Sequence, residues 1–169
     1  MYVRFCRPRI RSVVWDKSAT TLVSMTRIEK TRACLNFQLR RTSRQVSRYY
    51  DEALRPLGLR VSQFNILAII AQTGPISVSD LANKLGMERS ALARNLKLIA
   101  RDSFVAVSHG DDRRMRLARL SAVGKRKLDE ALPIWNRAQE DLVAKLGPEQ
   151  AALLTDVLAK LRTAIDDGN

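Results

Sequence analysis

The sequence predicts a mainly α-helical protein with one small β-hairpin, and three observations support this fold class. From about residue 31 onward, apolar residues recur at three- and four-residue spacing, which is typical of helices that bury one face. Two short apolar segments, Phe104–Val107 and Met115–Leu120, flank a polar loop and indicate a pair of strands. The length of 169 residues and the hydrophobic content of 46% suit about one folded domain.

The composition excludes several classes of protein. One His and two Cys are too few for a His/Cys zinc site with the usual four ligands, and two Cys argue against a disulfide scaffold. The longest apolar run, Ile66–Ala71, is six residues and too short to span a bilayer. The 30 Lys and Arg residues against 17 acids give a net charge of +13, which predicts a polyanionic partner.

The positive charge is unevenly distributed along the chain. Residues 1–30 and 31–60 each carry a net charge of +5, residues 61–120 carry +4, and residues 121–169 carry −1. We therefore expect the C-terminal third to serve assembly instead of binding a polyanion. The first 24 residues lack a helical or strand period and have no apolar core of secretory length. Their Arg-rich, acid-poor composition can resemble a transit peptide, but we favour a basic arm over residues 1–30 or a mis-called start upstream of Met25.

Two helices are predicted in the first half of the chain. The first, from about Thr31 to Leu54, ends at Pro56 and Gly58. Its expected inward residues are Leu35, Leu39, Val46, Tyr49, Tyr50, Ala53 and Leu54, and its other side carries Arg40, Arg41, Arg44 and Arg48. The second, from about Val61 to Gln72, is broken by the sequence Thr73-Gly74-Pro75. Its expected inward residues are Phe64, Leu67, Ala68 and Ala71.

A helix-turn-helix is predicted between Ile76 and Arg101. Ser77 and Asp80 have the spacing of a capping box, in which the Ser oxygen accepts the N3 amide and the Asp reaches back. A helix of about eight residues then ends at Gly86, which can adopt the left-handed conformation of a helix end. A new helix starts near Glu88, so two short helices are joined by a tight turn.

The second of these helices has the pattern of a DNA-recognition helix. Leu92, Leu96 and Ile99 are expected to point inward. The opposite polar stripe is formed by Ser90, Arg94, Lys97 and Arg101, with Arg89 beside the N-terminal end. Arg and Ser can hydrogen-bond to base edges in the major groove. The alternative is an ordinary solvated basic face, which is the commoner explanation for any one stripe.

The predicted strand pair completes a winged helix-turn-helix domain over residues 61–120. Its polar loop, residues 108–114, has a basic tip in which Arg114 is placed to enter the minor groove. Asp112 could hold the Arg114 guanidinium in a bidentate pair, or the two residues could simply stabilise the loop. The candidate phosphate contacts are Arg113, Arg116 and Arg119.

The C-terminal helices are expected to supply assembly. Ser121 can cap a long helix that runs to about Leu146 and contains Pro133, and a last helix begins at Gly147-Pro148-Glu149. The expected apolar stripe of the long helix is Leu128, Leu132, Trp135, Ala138 and Leu142, and the last helix contributes Leu153, Leu154, Val157, Leu158, Leu161 and Ile165. These residues exceed what one buried face needs, so residues 31–60 and 121–169 are predicted to form a helical dimerisation region. The alternative is a purely intramolecular core.

Residues from about 34 to 164 resemble the MarR family of bacterial transcription regulators. The resemblance is carried by Leu57-Gly58-Leu59, Gln63-Phe64, Ser77-Val78-Ser79-Asp80-Leu81-Ala82, Leu85-Gly86-Met87-Glu88-Arg89-Ser90, Asp111-Asp112-Arg113-Arg114 and Leu120-Ser121-Ala122-Val123-Gly124. It implies a homodimer that binds a near-palindromic operator, mostly as a repressor, with the helix near Glu88 in the major groove and the tip 109–114 in the minor groove. The pattern departs at Asp102-Ser103, where the family usually has Gly, so Ser103 is expected to carry backbone strain.

The resemblance also implies an effector, because family members often release DNA when a small phenolic or other organic ligand binds or when a cysteine is oxidised. Cys34 lies two positions before the place of the reactive cysteine in peroxide-sensing relatives, where this chain has Asn36. We therefore favour a helix-packing thiol over a redox sensor. The residues that could line an aromatic-accepting effector pocket are Phe37, Tyr49, Tyr50 and Trp135, although we favour core packing as the role of each.

The sequence therefore predicts a double-stranded DNA-binding regulator that is cytoplasmic, nucleoid-associated when bound, and independent of metals and cofactors. The alternative is a non-specific nucleoid or RNA-binding protein, although aromatic residues at 5% offer few stacking platforms for RNA bases. An enzyme is not expected, because the sequence has no Gly-rich phosphate loop and its single His, His109, lies on the predicted wing far from either Cys.

Overall fold

The computed structural model describes residues 33–109 and 115–166, in two compact units that meet in the sequence between Thr42 and Ser43. The described residues form six α-helices and three β-strands, as the fold class predicted. In chain order the elements are α1 (Leu35–Leu54), α2 (Val61–Thr73), β1 (Ile76–Ser77), α3 (Val78–Leu85), α4 (Arg89–Arg101), β2 (Val105–His109), β3 (Arg116–Leu120), α5 (Ala122–Leu146) and α6 (Pro148–Asp166). The predicted basic arm, residues 1–30, lies outside the described residues.

The three strands form one antiparallel sheet in the order β1-β3-β2. The β2–β3 ladder runs from the pair Val105 and Leu120 to the pair His109 and Arg116. Ala118 in the central strand is fully buried and lies opposite Ile76 of β1. The sequence analysis missed β1, because two residues are too few to show the alternation by which strands are recognised.

The core of the second unit is one continuous cluster that fixes the helix-turn-helix against α2, the sheet and α5. Its fully buried large side chains are Leu54, Ile66, Leu67, Ile70, Leu81, Leu92 and Ile99. Burying each of these side chains contributes about 1.5–3 kcal/mol relative to leaving it in water. Helix α4 is therefore held on its apolar side by the centre of the core.

Four residues of α1 and α2 that were predicted to point inward are exposed in the structure, namely Leu35, Leu39, Val46 and Ala71. Leu35 and Leu39 belong to the first unit, whose described residues 33–42 include no second element against which they could pack. In α2, Ala71 is exposed, while Ile66 and Ile70 are buried beside the predicted Phe64 and Leu67. The run from Ile66 to Ala71 is apolar on every side of the helix, so periodicity could not identify the inward face.

The C-terminal helices begin where the sequence analysis expected. The Ser121 hydroxyl oxygen accepts a hydrogen bond from the Gly124 amide at 2.9 Å and caps α5, and Pro133 lies inside that helix. Within α5, Leu128 and Ala138 are buried, but Leu132 is 39% exposed and departs from the predicted stripe. Helix α6 buries none of its residues, and Leu153 is 63% exposed, so this protomer does not cover the apolar surplus of its last helix.

Candidate nucleic-acid interface

The turn that positions α4 is built from local hydrogen bonds. The Ser77 oxygen accepts the Asp80 amide at 3.0 Å and its hydroxyl donates to the Asp80 carboxylate at 2.6 Å. Asp80 thus reaches back to the N-cap residue as expected, and its carboxylate accepts the hydroxyl of Ser77. Gly86 ends α3 at φ 59°, and the Met87 amide donates to the Ala82 carbonyl at 2.9 Å.

Helix α4 separates an apolar face from a polar one as predicted. Leu92, Leu96 and Ile99 are buried at 4% exposure or less. The side chains of the predicted DNA-contact set on this helix are all exposed, namely those of Arg89, Ser90, Arg94, Lys97 and Arg101. Among the described residues, one carboxylate pairs with a cation of this set: Asp102 lies 3.7 Å from the adjacent Arg101, and an exposed pair of this kind stabilises a fold very little.

The end of α4 has a strained residue where the sequence departs from the family pattern. Ser103 has a φ of 59°, and among the residues that the structure describes it is the single non-glycine with a positive φ. Its carbonyl accepts the Ser121 hydroxyl at 2.6 Å, and the following Phe104 amide donates to Ile99 at 2.9 Å. These bonds hold a conformation that costs a non-glycine residue about 1 kcal/mol.

The wing is described up to the tip-side ends of its two strands. His109 and Arg116 form the last described pair of the β2–β3 ladder, and both are exposed. The tip lies outside the described residues, together with the predicted contacts Asp112, Arg113 and Arg114. Their roles therefore stay predictions.

Arg116 and Arg119 lie on opposite faces of β3, because their positions differ by an odd number and side chains alternate along a strand. Arg116 lines a groove of about 420 Å³ between α4 and the hairpin, together with Lys97 of α4. The apolar part of this groove is formed by Val78, Ala93, Leu96, Ala100 and Val107. The fold thus brings together two predicted phosphate contacts from two elements, while Arg119 belongs to another surface.

Three residues of the predicted aromatic set, Tyr49, Tyr50 and Trp135, are joined by ring contacts in the second unit. Trp135 stacks on Tyr50 with ring centroids 6.2 Å apart and on Phe64 with centroids 5.5 Å apart. Tyr49 meets Tyr50 edge-on at 5.6 Å. We call Tyr49, Tyr50, Phe64 and Trp135 the aromatic cluster. The sequence analysis treated Phe64 only as a core residue, because nothing in its spacing signals contact with a distant tryptophan.

The tyrosine hydroxyls of the aromatic cluster form hydrogen bonds with α5. The Tyr49 hydroxyl donates to the Ala138 carbonyl at 3.3 Å, and the Tyr50 hydroxyl donates to the Gln139 side-chain oxygen. Burial of Tyr50, and secondarily the neighbouring Tyr49, raises the pKa of the Tyr50 hydroxyl, which stays a neutral donor. Lys145 lies 5.1 Å from the centre of the Tyr49 ring. These contacts agree with the packing role that was favoured for Tyr49, Tyr50 and Trp135.

Phe37 and Cys34 belong to the first unit. The Phe37 side chain is 46% exposed. Cys34 precedes α1 and is also exposed, so within the described residues it is not the packing thiol that the sequence analysis favoured. The reason is the same as for Leu35, since the described part of this unit provides no neighbouring element.

The described ranges 33–109 and 115–166 contain no cluster of three or more His, Cys, Asp or Glu side chains that could hold a metal ion. Within the same ranges, every helix is too short or too polar to cross a membrane. Among the described residues, the candidate functional site is therefore the basic face of α4 and the neighbouring hairpin.

Comparison with known proteins identifies the family. The model of the MarR family matches residues 59–115, which include the helix-turn-helix and β2 but end before β3. The transcriptional regulator MosR of M. tuberculosis, solved in complex with DNA, is 36% identical and superposes with a TM-score of 0.71, covering 79% of this chain and 97% of MosR. YdgJ of Bacillus subtilis, an uncharacterized HTH-type transcriptional regulator, is 28% identical over 111 residues, which are 65% of this chain and 68% of YdgJ.

A mutant MarR from E. coli complexed with operator DNA shares the fold at a TM-score of 0.72 with 21% identity, covering 81% of this chain and 99% of that chain. These similar proteins are transcriptional regulators and not enzymes, which agrees with the prediction made from the missing catalytic motifs. The helix-turn-helix, the three-stranded sheet and the helical C-terminal region match their architecture. The chain is therefore a member of the MarR family of winged-helix transcriptional regulators, as the motifs around α4 and the wing predicted.

Proposed function

We propose that this regulator is a homodimeric repressor that binds a near-palindromic operator in double-stranded DNA. Residues 61–120 act as the DNA-binding domain, and residues 31–60 and 121–169 act as the dimerisation region. The protein works in the cytoplasm and associates with the nucleoid when it is bound to DNA. A small organic effector or oxidation of a thiol releases the operator.

The exposed basic face of α4 is the observation that carries this proposal. Arg94 and Lys97 project from a helix whose opposite side is anchored by Leu92 and Ile99, so the cations stand on a rigid support. A rigid helix with Arg and Ser near its N-terminal end can read base edges in the major groove, while later cations meet phosphates. The complexes of MosR and of E. coli MarR with DNA support the same use of this fold.

Lys97 and Arg116 extend the basic face to the start of β3, on the tip side of the wing. They line one groove from opposite sides, and no described carboxylate forms a salt bridge with either cation. Unpaired cations at the junction of α4 and the hairpin suit a phosphate backbone that passes between the two elements. Arg113 and Arg114 then continue the contact into the minor groove, with Asp112 orienting Arg114.

The dimer is supported by the apolar surface of α6. Leu153, Leu154, Val157 and Ile165 are all about half exposed or more, whereas isolated protomers rarely leave so many large apolar side chains on one helix in water. A second copy that covers this surface would bury it in a two-fold interface. That symmetry matches the two half-sites of a near-palindromic operator.

Two routes of release are compatible with the chemistry of the chain. The first is an aromatic effector that binds beside Tyr50 and Trp135. The second is oxidation of Cys34, whose exposure leaves its thiol open to oxidants. Release of DNA in response to an aromatic compound would support the first route. Release in response to a peroxide that is lost in a Cys34→Ser variant would support the second.

Selection of bound sequences from a random DNA pool tests the function. We expect a symmetric consensus, and an affinity for it that exceeds the affinity for random DNA by at least about 10³ at one fixed salt concentration. The competing function is a non-specific nucleoid or RNA-binding protein. Enrichment of no consensus, or equal affinity for random duplex and for single-stranded RNA, would favour that competitor.

A further inference from the structure

A second groove lies at the base of the hairpin, inside the second compact unit. It is bounded by the end of α2, the Gly74–Pro75 turn, the end of β3 and the first turns of α5, and its volume is about 580 Å³. This volume is within the range of about 300–1,000 Å³ that small-molecule sites occupy. Its lining includes no residue of the aromatic cluster and none of the predicted DNA-contact set on α4. We call it the hairpin-base groove.

The floor of the hairpin-base groove is aliphatic. Ile70 of α2 and Leu128 of α5 are buried there, and Leu132 of α5 forms part of the wall while keeping 39% of its surface exposed. Ala71, Pro75 and Leu120 complete the apolar lining. A saturated hydrocarbon chain that covered this surface would gain about 25 cal/mol for each Å² of apolar area removed from water.

The rim of the groove carries an excess of positive charge. Arg119 of β3 and Lys125 of α5 both line it, and neither forms a salt bridge with a carboxylate of the described residues. Asp129 is the single acidic residue of the lining, and no ion pair joins it to Lys125 one helical turn earlier. Two cations against one carboxylate favour an anion, and a guanidinium is well suited to bind a carboxylate through two hydrogen bonds.

Arg119 is available for this role because of the pleat of β3. Its side chain lies on the face opposite Arg116, which lines the other groove beside α4. A phosphate contact by Arg116 therefore does not imply a phosphate contact by Arg119. We propose that the hairpin-base groove binds a free monocarboxylate with an aliphatic chain, whose carboxylate lies between Arg119 and Lys125 and whose chain lies along Ile70, Leu128 and Leu132.

The test is a titration of the full-length protein with octanoate, in the absence of DNA, by isothermal calorimetry and by amide chemical shifts. We expect a dissociation constant on the order of 1 mM, which is typical for a ligand of this size, and shifts centred on α5 and the end of β3. Octylamine, which has the same chain and the opposite charge, should bind at least about tenfold more weakly. Equal affinities of the two compounds, or shifts centred elsewhere, would overturn the assignment.

Exposed side chains of the rim allow substitutions that leave the core intact. Arg119→Gln and Lys125→Gln should each weaken octanoate binding by about threefold or more, since an ion pair is lost. Asp129→Asn should strengthen it about twofold, because a like charge is removed. Arg126→Gln is the matched control, since Arg126 is the exposed neighbour of Lys125 and does not line the groove. Unchanged binding in Arg119→Gln, or weaker binding in Asp129→Asn, would contradict the proposal.

A variant that fills the groove provides an independent test. Ala71 is an exposed residue of α2 in the lining, so Ala71→Phe places a ring in the groove without replacing a core side chain. Octanoate binding should be lost while the circular dichroism spectrum and the unfolding temperature stay the same. Retained binding would overturn the assignment. Since no DNA enters these measurements, their failure would leave the proposed function of α4 untouched.

Discussion

The residues of α4 have two kinds of expected role, and the exposure of each side chain decides which. Buried side chains stabilise the fold, and exposed ones are the candidates for DNA contact. Leu92 and Ile99 are fully buried, so truncating either would leave a cavity and cost about 2–5 kcal/mol. Arg94 is exposed and makes no ion pair with the described residues. Its truncation therefore changes a surface charge and a hydrogen-bonding group without disturbing the core. Variants at Arg94 can report on DNA contact alone.

Arg94→Ala should relax the base preference of the protein at one position of each half-site. The reason is that Arg discriminates base edges by about 1–3 kcal/mol, whereas a phosphate contact is the same for every sequence. The measurement compares affinities for the selected operator and for its single-base variants at constant salt. Arg162→Ala on α6 removes the same charge far from α4 and should leave both values unchanged. A uniform loss across all sequences would show that Arg94 contacts a phosphate.

Ser103→Gly should stabilise the fold by up to about 1 kcal/mol. Ser103 has a φ of 59°, which glycine adopts without the clash of a Cβ atom, although glycine also loses more conformational entropy on folding. Thermal or urea unfolding measures the difference. Ser103→Ala keeps the Cβ atom and should change the stability much less. A glycine variant less stable than the alanine variant would mean that strain at this position is negligible.

At this scale, the sequence predicts what depends on neighbours a few residues away. The caps at Ser77 and Ser121, the left-handed Gly86 and the positive φ of Ser103 are local, and all were expected. The environment of Leu39 and the stacking of Phe64 on Trp135 depend on residues distant in sequence. Periodicity identifies an apolar face but carries no information about its partner.

At the scale of elements, the junction between α5 and the hairpin depends on a close approach. Gly124 is buried in the first turn of α5, and a Cβ atom there would overlap the backbone carbonyl of Phe104. The same carbonyl accepts the Ser121 amide at 3.0 Å, so it cannot move without breaking that bond. This contact joins the start of the wing to the long helix, and it explains why glycine occupies a helical position that otherwise disfavours it.

Gly124→Ala should therefore destabilise the protein by about 2–3 kcal/mol through overpacking against backbone. The unfolding temperature should fall by about 5 °C or more. Val123→Ala, one position earlier and on a partly exposed site, is the control and should have a small effect. An unchanged unfolding temperature for Gly124→Ala would mean that α5 can shift away from Phe104 at little cost.

Variants of helix α6 test the proposed dimer interface. Leu153 and Val157 are one turn apart and at least half exposed, so Leu153→Glu with Val157→Glu places two charges on an apolar face without disturbing the protomer. The double variant should be monomeric by light scattering at concentrations where the unchanged protein is dimeric. Thr155→Glu adds a charge on another side of the same helix and should stay dimeric. A dimeric double variant would exclude this face of α6 from the interface.

Element boundaries were largely predictable, because stop signals coincide with them. Gly58, Gly74, Gly86 and Gly147 follow the ends of helical segments, and each has a positive φ. The exception is β1, which exists only because Ile76 and Ser77 pair with β3. A two-residue strand is defined by its partner, so no pattern within it could have signalled it.

For the whole molecule, the charge distribution distinguishes the part that we propose to bind DNA from the part that we propose to assemble. Residues 61–120 carry a net charge of +4, and residues 121–169 carry −1. If two such domains contact about 6–10 phosphates, the affinity should fall by about 10³–10⁵ between 50 and 200 mM salt. Filter binding or fluorescence anisotropy at several salt concentrations measures this slope. A slope that corresponds to only one or two phosphates would mean that a single domain binds.

The spacing of the half-sites tests whether two domains act as one rigid dimer. In a two-fold dimer the two copies of α4 should lie about 34–36 Å apart, so that they enter successive major grooves on one side of the duplex. Inserting five base pairs at the centre of the selected operator rotates one half-site by about half a turn, and the affinity should fall to that of a single half-site. Inserting ten base pairs restores the rotational phase but nearly doubles the distance, which a rigid dimer cannot span. Strong binding to both altered operators would mean that the two DNA-binding domains are flexibly tethered, and the two-fold arrangement proposed for α6 would then have to be abandoned.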